Sequence, residues 1–242
     1  MSASERRDSA RTAVVWGALA RLLGAEPVRI LDIGGGTGGF AVRLAGLGHR
    51  VTVVDPSPDA LAALARRARE QGVEVEGVQG DLAGLGGLLA AGDQPDVVLC
   101  HGVLEVVDDP AAALAAIREV LRPGGRLSLL VSQRHAAVIA RAMAGHLAQA
   151  LALLDDPQQP SRQPVGRTGR RFTADEVTGL LSAAGFELDS VHGIRVFADL
   201  VPGALLELEP GTAAALLRLE QAVAERSEYL PLATQLHVIA TG

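Results

Sequence analysis

The sequence of 242 residues contains no lysine and no asparagine, so all 22 of its cationic side chains are arginines. Without lysine there is no Schiff-base lysine, no phosphate-loop lysine and no catalytic tyrosine–lysine pair. Without asparagine there is no N-glycosylation acceptor and no Asn-Pro-Pro-aromatic catalytic motif. These absences exclude several classes of enzyme before any motif is considered.

Cysteine and aromatic residues are also scarce. Cys100 is the single cysteine, so an intrachain disulfide and a cysteine-based metal site are excluded. No apolar run reaches the roughly 18 residues that a membrane-spanning helix needs. The segment Thr12–Ala20 follows two arginines, as in a signal peptide, but arginines at helical spacing bracket it and favour an amphipathic helix. We therefore expect a cytoplasmic protein without a membrane segment and without a metal.

Apolar runs alternate with helical patterns along most of the chain. The runs predict seven strands: Val28–Ile33, Arg50–Asp55, Val73–Val78 as a half-buried edge, Asp96–Cys100, Arg126–Ser132, Glu187–Phe197 and Leu232–Thr241. Helical spacing predicts the helices Ser9–Leu23, Phe40–Leu47, Pro58–Glu70, Pro110–Leu121, Ala136–Leu154, one that begins at a Thr173–Glu176 capping box, and Thr212–Arg226. This alternation indicates an α/β fold that is Rossmann-like and doubly wound, with a mostly parallel seven-stranded sheet and helices on both faces. We expect one domain over residues 1–242.

A glycine cluster connects the first strand to the helix after it. Gly34, Gly36 and Gly39 fit the pattern G-x-G-x-x-G, and Asp55 ends the next strand. Glycine permits positive φ and close approach to a ligand, and an acidic residue at that strand end can accept hydrogen bonds from ribose hydroxyls. The motif alone is compatible with a nicotinamide dinucleotide or with S-adenosylmethionine. Asp32, directly before the glycines, favours the second because its carboxylate suits the cationic amino group of a methionine moiety.

Two further segments extend this pattern. Gly80-Asp81 closes the third strand, where an adenine edge could be read, and Arg122–Gly125 turns into the fifth strand. In this order and spacing, the segments from Val28 to Ser132 resemble class I S-adenosylmethionine-dependent methyltransferases. The resemblance is closest to the bacterial tRNA 5-carboxymethoxyuridine methyltransferases and covers nearly the whole chain through further segments: Arg11 to Trp16, His101–Pro110, Val120–Leu129, Gly193–Phe197, Leu217–Glu220 and Leu236–Val238.

The resemblance implies which residues bind S-adenosylmethionine. Arg11 would pair with the cofactor carboxylate, and Asp55 with Pro56 would hold the ribose. With the motif residues added, the candidate cofactor site comprises Arg11, Asp32, Gly34, Gly35, Gly36, Asp55, Pro56, Gln79, Gly80, Asp81 and His101. Gln79 and Gly80 would lie on the adenine side, and His101 beside the methionine portion. We therefore expect an N-terminal helix in residues 1–27, a cofactor-binding half in 28–133 and a substrate-side half in 134–242.

The resemblance also implies a methyl acceptor, the carboxylate of 5-carboxymethoxyuridine at the wobble position of tRNA. A carboxylate is ionised at neutral pH and needs a cation to position it, whereas a hydroxyl acceptor needs a general base. The candidate cations are Arg134, Arg170, Arg171 and Arg195, and the candidate bases are His135 and Glu105.

One loop concentrates cationic charge and predicts where tRNA would bind. Arg162, Arg167, Arg170 and Arg171 all lie between Asp155 and Arg171. Aromatic residues make up only 2% of the chain, which leaves little surface for base stacking. Two alternatives therefore stay open: a small-molecule O- or N-methyltransferase, and a non-catalytic protein that binds the cofactor as a structural ligand.

Overall fold

The computed structural model describes residues 3–24, 26–88, 94–155, 169–202, 204–205 and 211–242, and for residues 3–11 and 155 it describes the backbone alone. Seven strands form one sheet: β1 (Arg29–Ile33), β2 (Arg50–Asp55), β3 (Glu76–Gln79), β4 (Val97–His101), β5 (Arg126–Ser132), β6 (Glu187–Ile194) and β7 (Gln235–Thr241). Their spatial order is β3-β2-β1-β4-β5-β7-β6, and β1 pairs in parallel with both β2 and β4. The predicted seven-stranded, mostly parallel sheet is confirmed.

The described residues contain these helices: α1 (Ala3–Leu23), α2 (Ala41–Gly46), α3 (Pro58–Gln71), α4 (Leu85–Leu88), α5 (Pro110–Val120), α6 (Arg134–Met143), α7 (Leu147–Asp155), α8 (Ala174–Ala183) and α9 (Thr212–Val223). The chain divides into two compact units. The glycine-loop unit comprises Leu23–Leu129, Thr178–Asp189 and Ile239–Gly242. The second unit comprises Met1–Leu22, Leu130–Val177 and Ser190–Val238. The expectation of a single domain stays a prediction.

Burial explains the strands of the glycine-loop unit. Four of the five residues of β1, and four of the five of β4, are buried, as expected for parallel strands covered on both faces. β3, at the end of the strand order, is mostly exposed, so the edge position predicted for this segment is confirmed. Cys100 in β4 is fully buried. Burial, together with the nearby charges of Glu105 and Asp32, raises the pKa of its thiol well above the usual range.

The prediction of one long helix over Ala136–Leu154 is wrong. Two helices, α6 and α7, replace it, and Gly145 between them has φ +78°. The amide of His146 donates to the carbonyl of Arg141 at 2.8 Å, and that of Gly145 donates to the carbonyl of Ala142 at 3.0 Å. These are the two bonds of a Schellman motif, which ends a helix at a left-handed glycine. The glycine was the sequence signal for this break.

Local side-chain bonds fix the starts of α6 and α8. Gln133 caps α6 by accepting from the amide of Ala136 at 3.1 Å, so the helix begins earlier than predicted. The Thr173–Glu176 capping box is confirmed, because each side chain accepts from the other residue's amide, at 3.2 and 2.9 Å.

Across the part of the chain that the structure describes, no helix is long and apolar enough to cross a membrane.

Candidate functional site

The loop between β1 and α2 depends on its glycines. Gly34, Gly36 and Gly38 all have positive φ, between +56° and +80°. A Cβ on Gly34 would overlap the side chain of Val103, and a Cβ on Gly35 would lie 2.6 Å from an oxygen of Asp32. The loop therefore brings bare backbone to the end of β1, where a larger residue would not fit.

Asp55, the last residue of β2, ties this loop to the neighbouring strand. Its Oδ2 accepts from the amide of Gly36 and its Oδ1 from the amide of Ser57, each at 2.9 Å. The Asp55 side chain is nearly buried. A carboxylate offers about four acceptor positions, so two remain for a ligand with vicinal hydroxyls.

Asp32, in the same region, has a carboxyl group with a raised pKa. Its side chain is 3% exposed, and burial together with the negative charge of Asp55 raises the pKa of Asp32 to about 7. An ionised Asp32 therefore needs a cation nearby to offset the loss of solvation. A ligand with a cationic group at this position would supply it.

The predicted adenine side lies at the end of β3. The Gln79 side chain donates to the carbonyl of Pro56 at 3.4 Å, and the Gly80 amide donates to the carbonyl of Asp55 at 3.3 Å. Asp81 accepts from the amides of Ala83 and Gly84, at 3.0 and 3.2 Å, and so caps the short 3-10 turn that follows. These bonds hold the end of β3 beside the end of β2.

His101 ends β4, next to the glycine loop. Ile33 in β1 pairs with Cys100 in β4. The next residues, Gly34 and His101, therefore lie at the ends of two adjacent strands. The His101 Nε2 lies 2.9 Å from the hydroxyl of Ser128, and its ring makes an edge contact with Phe40 at a centroid distance of 4.9 Å. Ser128 and Phe40 were not singled out from the sequence, because neither contact is local in the chain.

The glycine-loop unit thus brings together ten of the predicted cofactor residues at the carboxyl ends of four neighbouring strands: Asp32, Gly34, Gly35, Gly36, Asp55, Pro56, Gln79, Gly80, Asp81 and His101. Glu105 follows β4 in a turn of the same unit and is nearly buried. Arg11 lies in α1, and its side chain falls outside the described residues. Its pairing with a cofactor carboxylate stays a prediction, as do the other roles assigned here.

In the second unit, Arg195 directly follows β6 and has φ +60°, the positive-φ region that non-glycine residues rarely adopt. Its guanidinium is paired with Asp199, and its carbonyl accepts from the Thr234 hydroxyl at 3.2 Å. The Thr234 hydroxyl also lies 2.7 Å from Asp199. A strained residue held by several bonds is a frequent feature of functional sites.

His135, the second candidate of this unit, is connected to the same cluster. Its Nδ1 lies 3.4 Å from Nε2 in the side chain of Gln133. The backbone amide of Gln133 donates to the carbonyl of Thr234 at 3.0 Å. His135 and Arg195 therefore belong to one hydrogen-bonded network, which sequence spacing could not have revealed.

Glu220 explains why β6 ends at Ile194 and does not continue to Phe197 as predicted. Its carboxylate, 1% exposed, accepts from the amides of Val196, Phe197 and Ala198 at 2.9, 2.9 and 2.7 Å. These amides turn away from the sheet toward α9. The sequence did contain a signal, because Glu220 lies between Leu216 and Val223 on the apolar face of its helix.

The candidate cations differ in availability. Arg134 donates to both carboxylate oxygens of Glu176, at 2.7 and 2.6 Å, and to the carbonyl of Arg171 at 3.0 Å. Arg134 therefore binds the same carboxylate that completes the capping box of α8. Arg170 and Arg171 are partly buried, and Arg162 and Arg167 lie outside the described residues.

Comparisons with known proteins agree on one family. The family model described as "Methyltransferase domain" matches residues 7–191. The tRNA 5-carboxymethoxyuridine methyltransferase of Escherichia coli K12 is 31% identical over 242 residues, which cover 95% of this chain and 87% of that protein. The ubiquinone biosynthesis O-methyltransferase of Aeromonas salmonicida is 39% identical over 107 residues, or 44% of each chain.

Solved structures show the same fold. An S-adenosylmethionine-dependent methyltransferase from Mesorhizobium loti gives a TM-score of 0.59 at 20% identity and covers 95% of this chain and 98% of that one. Magnesium protoporphyrin IX methyltransferase from Synechocystis, with bound S-adenosylhomocysteine, gives 0.61 at 15% identity, covering 97% of this chain and 82% of that one.

Proposed function

The chain belongs to the methyltransferase domain family, and on that premise we propose that it transfers a methyl group to the carboxylate of 5-carboxymethoxyuridine in tRNA. Its general activity is that of an S-adenosylmethionine-dependent methyltransferase. The observation that carries the specific acceptor is the extent of the similarity. The tRNA enzyme aligns over 87% of its own length, whereas the ubiquinone O-methyltransferase aligns over 44%.

The residues at the ends of β1, β2 and β4 fit this cofactor. The loop around Gly34 and Gly36 has no room for larger side chains, Asp55 retains acceptor positions for ribose hydroxyls, and buried Asp32 requires a cation. We assign the ribose to Asp55, the ammonium group to Asp32, and the methionine portion to the glycine loop and His101. When bound, S-adenosylmethionine would supply a methyl group from its positively charged sulfonium, whose sulfur leaves as a neutral thioether.

The protein's own task in such a reaction is alignment. A carboxylate acceptor is ionised at neutral pH, so no residue has to remove a proton from it, and its placement against the methyl donor provides most of the rate. Neither His135 nor Glu105 is then needed as a base. A cation that orients the carboxylate is needed instead.

We assign that cation to Arg195. Its guanidinium is paired with Asp199 in a cluster that fixes its backbone, and its Nε, like that of Arg134, is buried without a hydrogen-bond partner among the described residues. Arg134 is the less suitable alternative because its side chain is 12% exposed, against 23% for Arg195, and because it donates to three oxygens, two of Glu176 and one of Arg171. We assign the RNA backbone to Arg162, Arg167, Arg170 and Arg171, four cations within ten residues of the chain.

A small-molecule O-methyltransferase is the second candidate. The 39% identity with the ubiquinone enzyme over 107 residues supports it, as does the scarcity of aromatic residues for stacking on bases. A hydroxyl acceptor would return His135 or Glu105 to the role of general base.

The test is methyl transfer by the purified chain to tRNA that carries unmethylated 5-carboxymethoxyuridine, followed by mass spectrometry of the nucleosides. We expect a methyl ester that mild alkali hydrolyses. The Arg195→Ala variant should lose most of the activity, whereas Arg218→Ala, which removes an exposed cation of α9, should not. Transfer to a phenol but not to tRNA would contradict the tRNA acceptor and support the second candidate.

The RNA surface has a separate test. Neutralising Arg167, Arg170 and Arg171 should lower the salt dependence of tRNA binding by about 0.7 log units for each lost single-strand contact. Filter binding across a salt series measures this slope. A slope that the triple variant retains in full would contradict the placement of the RNA surface.

A further inference from the structure

Ser128 is a polar residue in the buried part of β5. It lies in β5 between Leu127 and Leu129, and all three side chains are fully buried. A hydroxyl in such a place lowers stability unless it is hydrogen-bonded. The hydroxyl of Ser128 lies 2.9 Å from Nε2 of His101, so this contact gives a partner to the hydroxyl and to one nitrogen of the imidazole.

His101 is held on a second side by Phe40. The two rings meet edge to face, with an interplanar angle of 82°. Phe40 is the residue from which α2 begins, directly after the glycine loop. The imidazole therefore lies between β5 and the end of the glycine loop, within one compact unit.

We propose that Ser128 is a positioning residue for the cofactor site: its hydroxyl fixes the orientation of the His101 imidazole beside the glycine loop before the cofactor binds. The bond to Nε2 selects one of the two ring orientations that are otherwise available to a histidine. Binding then does not have to order the ring, and the affinity for the cofactor is higher. This inference depends on the assignment of His101 to the cofactor, but not on the identity of the methyl acceptor.

The experiment is a double-mutant cycle on the full chain with S-adenosylhomocysteine as the probe, measured by titration calorimetry. Ser128→Ala should weaken binding about threefold to tenfold, the effect expected for one hydrogen bond. His101→Ala should weaken it at least as much, and the double variant should bind no more weakly than His101→Ala alone. Ser128→Cys, which keeps a small side chain with a weak donor, should recover part of the affinity.

His49 provides a matched control. It is also a nearly buried histidine of the glycine-loop unit, and its Nδ1 lies 3.3 Å from the amide of Val28, at the amino ends of β1 and β2. His49→Ala should lower the melting temperature and leave the affinity for S-adenosylhomocysteine unchanged.

Two results would overturn the inference. One is an unchanged affinity in Ser128→Ala. The other is a double variant whose loss equals the product of the two single losses, since Ser128 would then act on the sheet and not through His101. Tight, coupled binding without methyl transfer to tRNA would overturn the proposed acceptor alone.

Discussion

The carboxylate of Asp32 is buried in β1 near that of Asp55 at the end of β2, and the two negative charges repel each other. Burial first, and the charge of Asp55 second, raise the pKa of Asp32 to about 7. In the ligand-free protein, Asp32 is therefore half protonated near neutral pH. A cationic ligand favours its ionised form, which links ligand binding to the loss of a proton.

We predict that the affinity for S-adenosylhomocysteine depends on pH below about 7. Binding there must remove the proton of Asp32, so the affinity should fall by up to about tenfold for each pH unit below the pKa. Above that pH it should be constant. Calorimetry in buffers with different ionisation enthalpies measures the proton released. An affinity that does not change between about pH 6 and pH 8 would contradict the placement of a cation at Asp32.

Asp32 should also lower the stability of the free protein at high pH. Its folded-state pKa of about 7 exceeds the ordinary 3.8, so the folded state holds a proton that the unfolded state has lost. Stability therefore falls as the pH rises through this window, by roughly 4 kcal/mol in total. Asp32→Asn should be more stable than the wild type at pH 8, up to that amount, with no gain below pH 4. Urea unfolding at both pH values tests this.

Replacement of Asp55 should weaken cofactor binding more than it affects folding. Asp55→Ala removes the acceptor of the Gly36 amide and the predicted partner of the ribose, and we expect a loss of about 1–3 kcal/mol in binding free energy. Asp109→Ala is the control, because Asp109 also accepts from two backbone amides as the cap of α5. It should reduce stability by about 1 kcal/mol without changing affinity. Equal affinity in Asp55→Ala and the wild type would remove the ribose assignment.

The glycine loop should not tolerate a side chain at Gly34. Gly34→Ala would force a left-handed backbone on alanine, at about 1–2 kcal/mol, and would overlap Val103. A further Val103→Ala substitution should relieve the overlap but not the backbone strain. At Gly39, φ is not left-handed and no atom would lie within 4 Å of a Cβ, so Gly39→Ala should bind and fold normally. Normal cofactor binding by Gly34→Ala would show that the ligand does not use this loop.

Loss of Glu220 should be one of the most destabilising single changes in the second unit. Glu220→Ala leaves three amides of residues 196–198 without their acceptor, and we expect a loss of at least about 3 kcal/mol in unfolding free energy. Glu225→Ala removes an exposed carboxylate paired with Arg21 and should cost less than about 1 kcal/mol. Chemical unfolding measures both values. If both variants lose less than about 1 kcal/mol of unfolding free energy, the loop after β6 does not depend on Glu220.

The sequence was most informative where local patterns decide the structure. Apolar runs placed β1 and β4, and the glycines placed the turn between β1 and α2, because strand ends and tight turns depend on a few adjacent residues. Gly145 carried enough information to end α6, but the apolar pattern on both sides of it concealed the break.

Contacts between distant residues could not be predicted in this way. Glu220 bonds to amides 22 to 24 positions earlier, and Ser128 bonds to His101 at a separation of 27. No periodicity records such a pairing, because it exists only once the sheet has assembled. The same holds for the link between His135 and Arg195 through Gln133 and Thr234.

The single thiol of the chain provides an internal reporter of opening. Cys100 is fully buried in β4, and its raised pKa keeps it protonated in the native state. A thiol reagent can therefore react only when the strand is exposed, and the labelling rate reports the population of the opened molecule. Because Cys100 directly precedes His101, cofactor binding should slow this labelling, and no cysteine has to be engineered or removed to follow it.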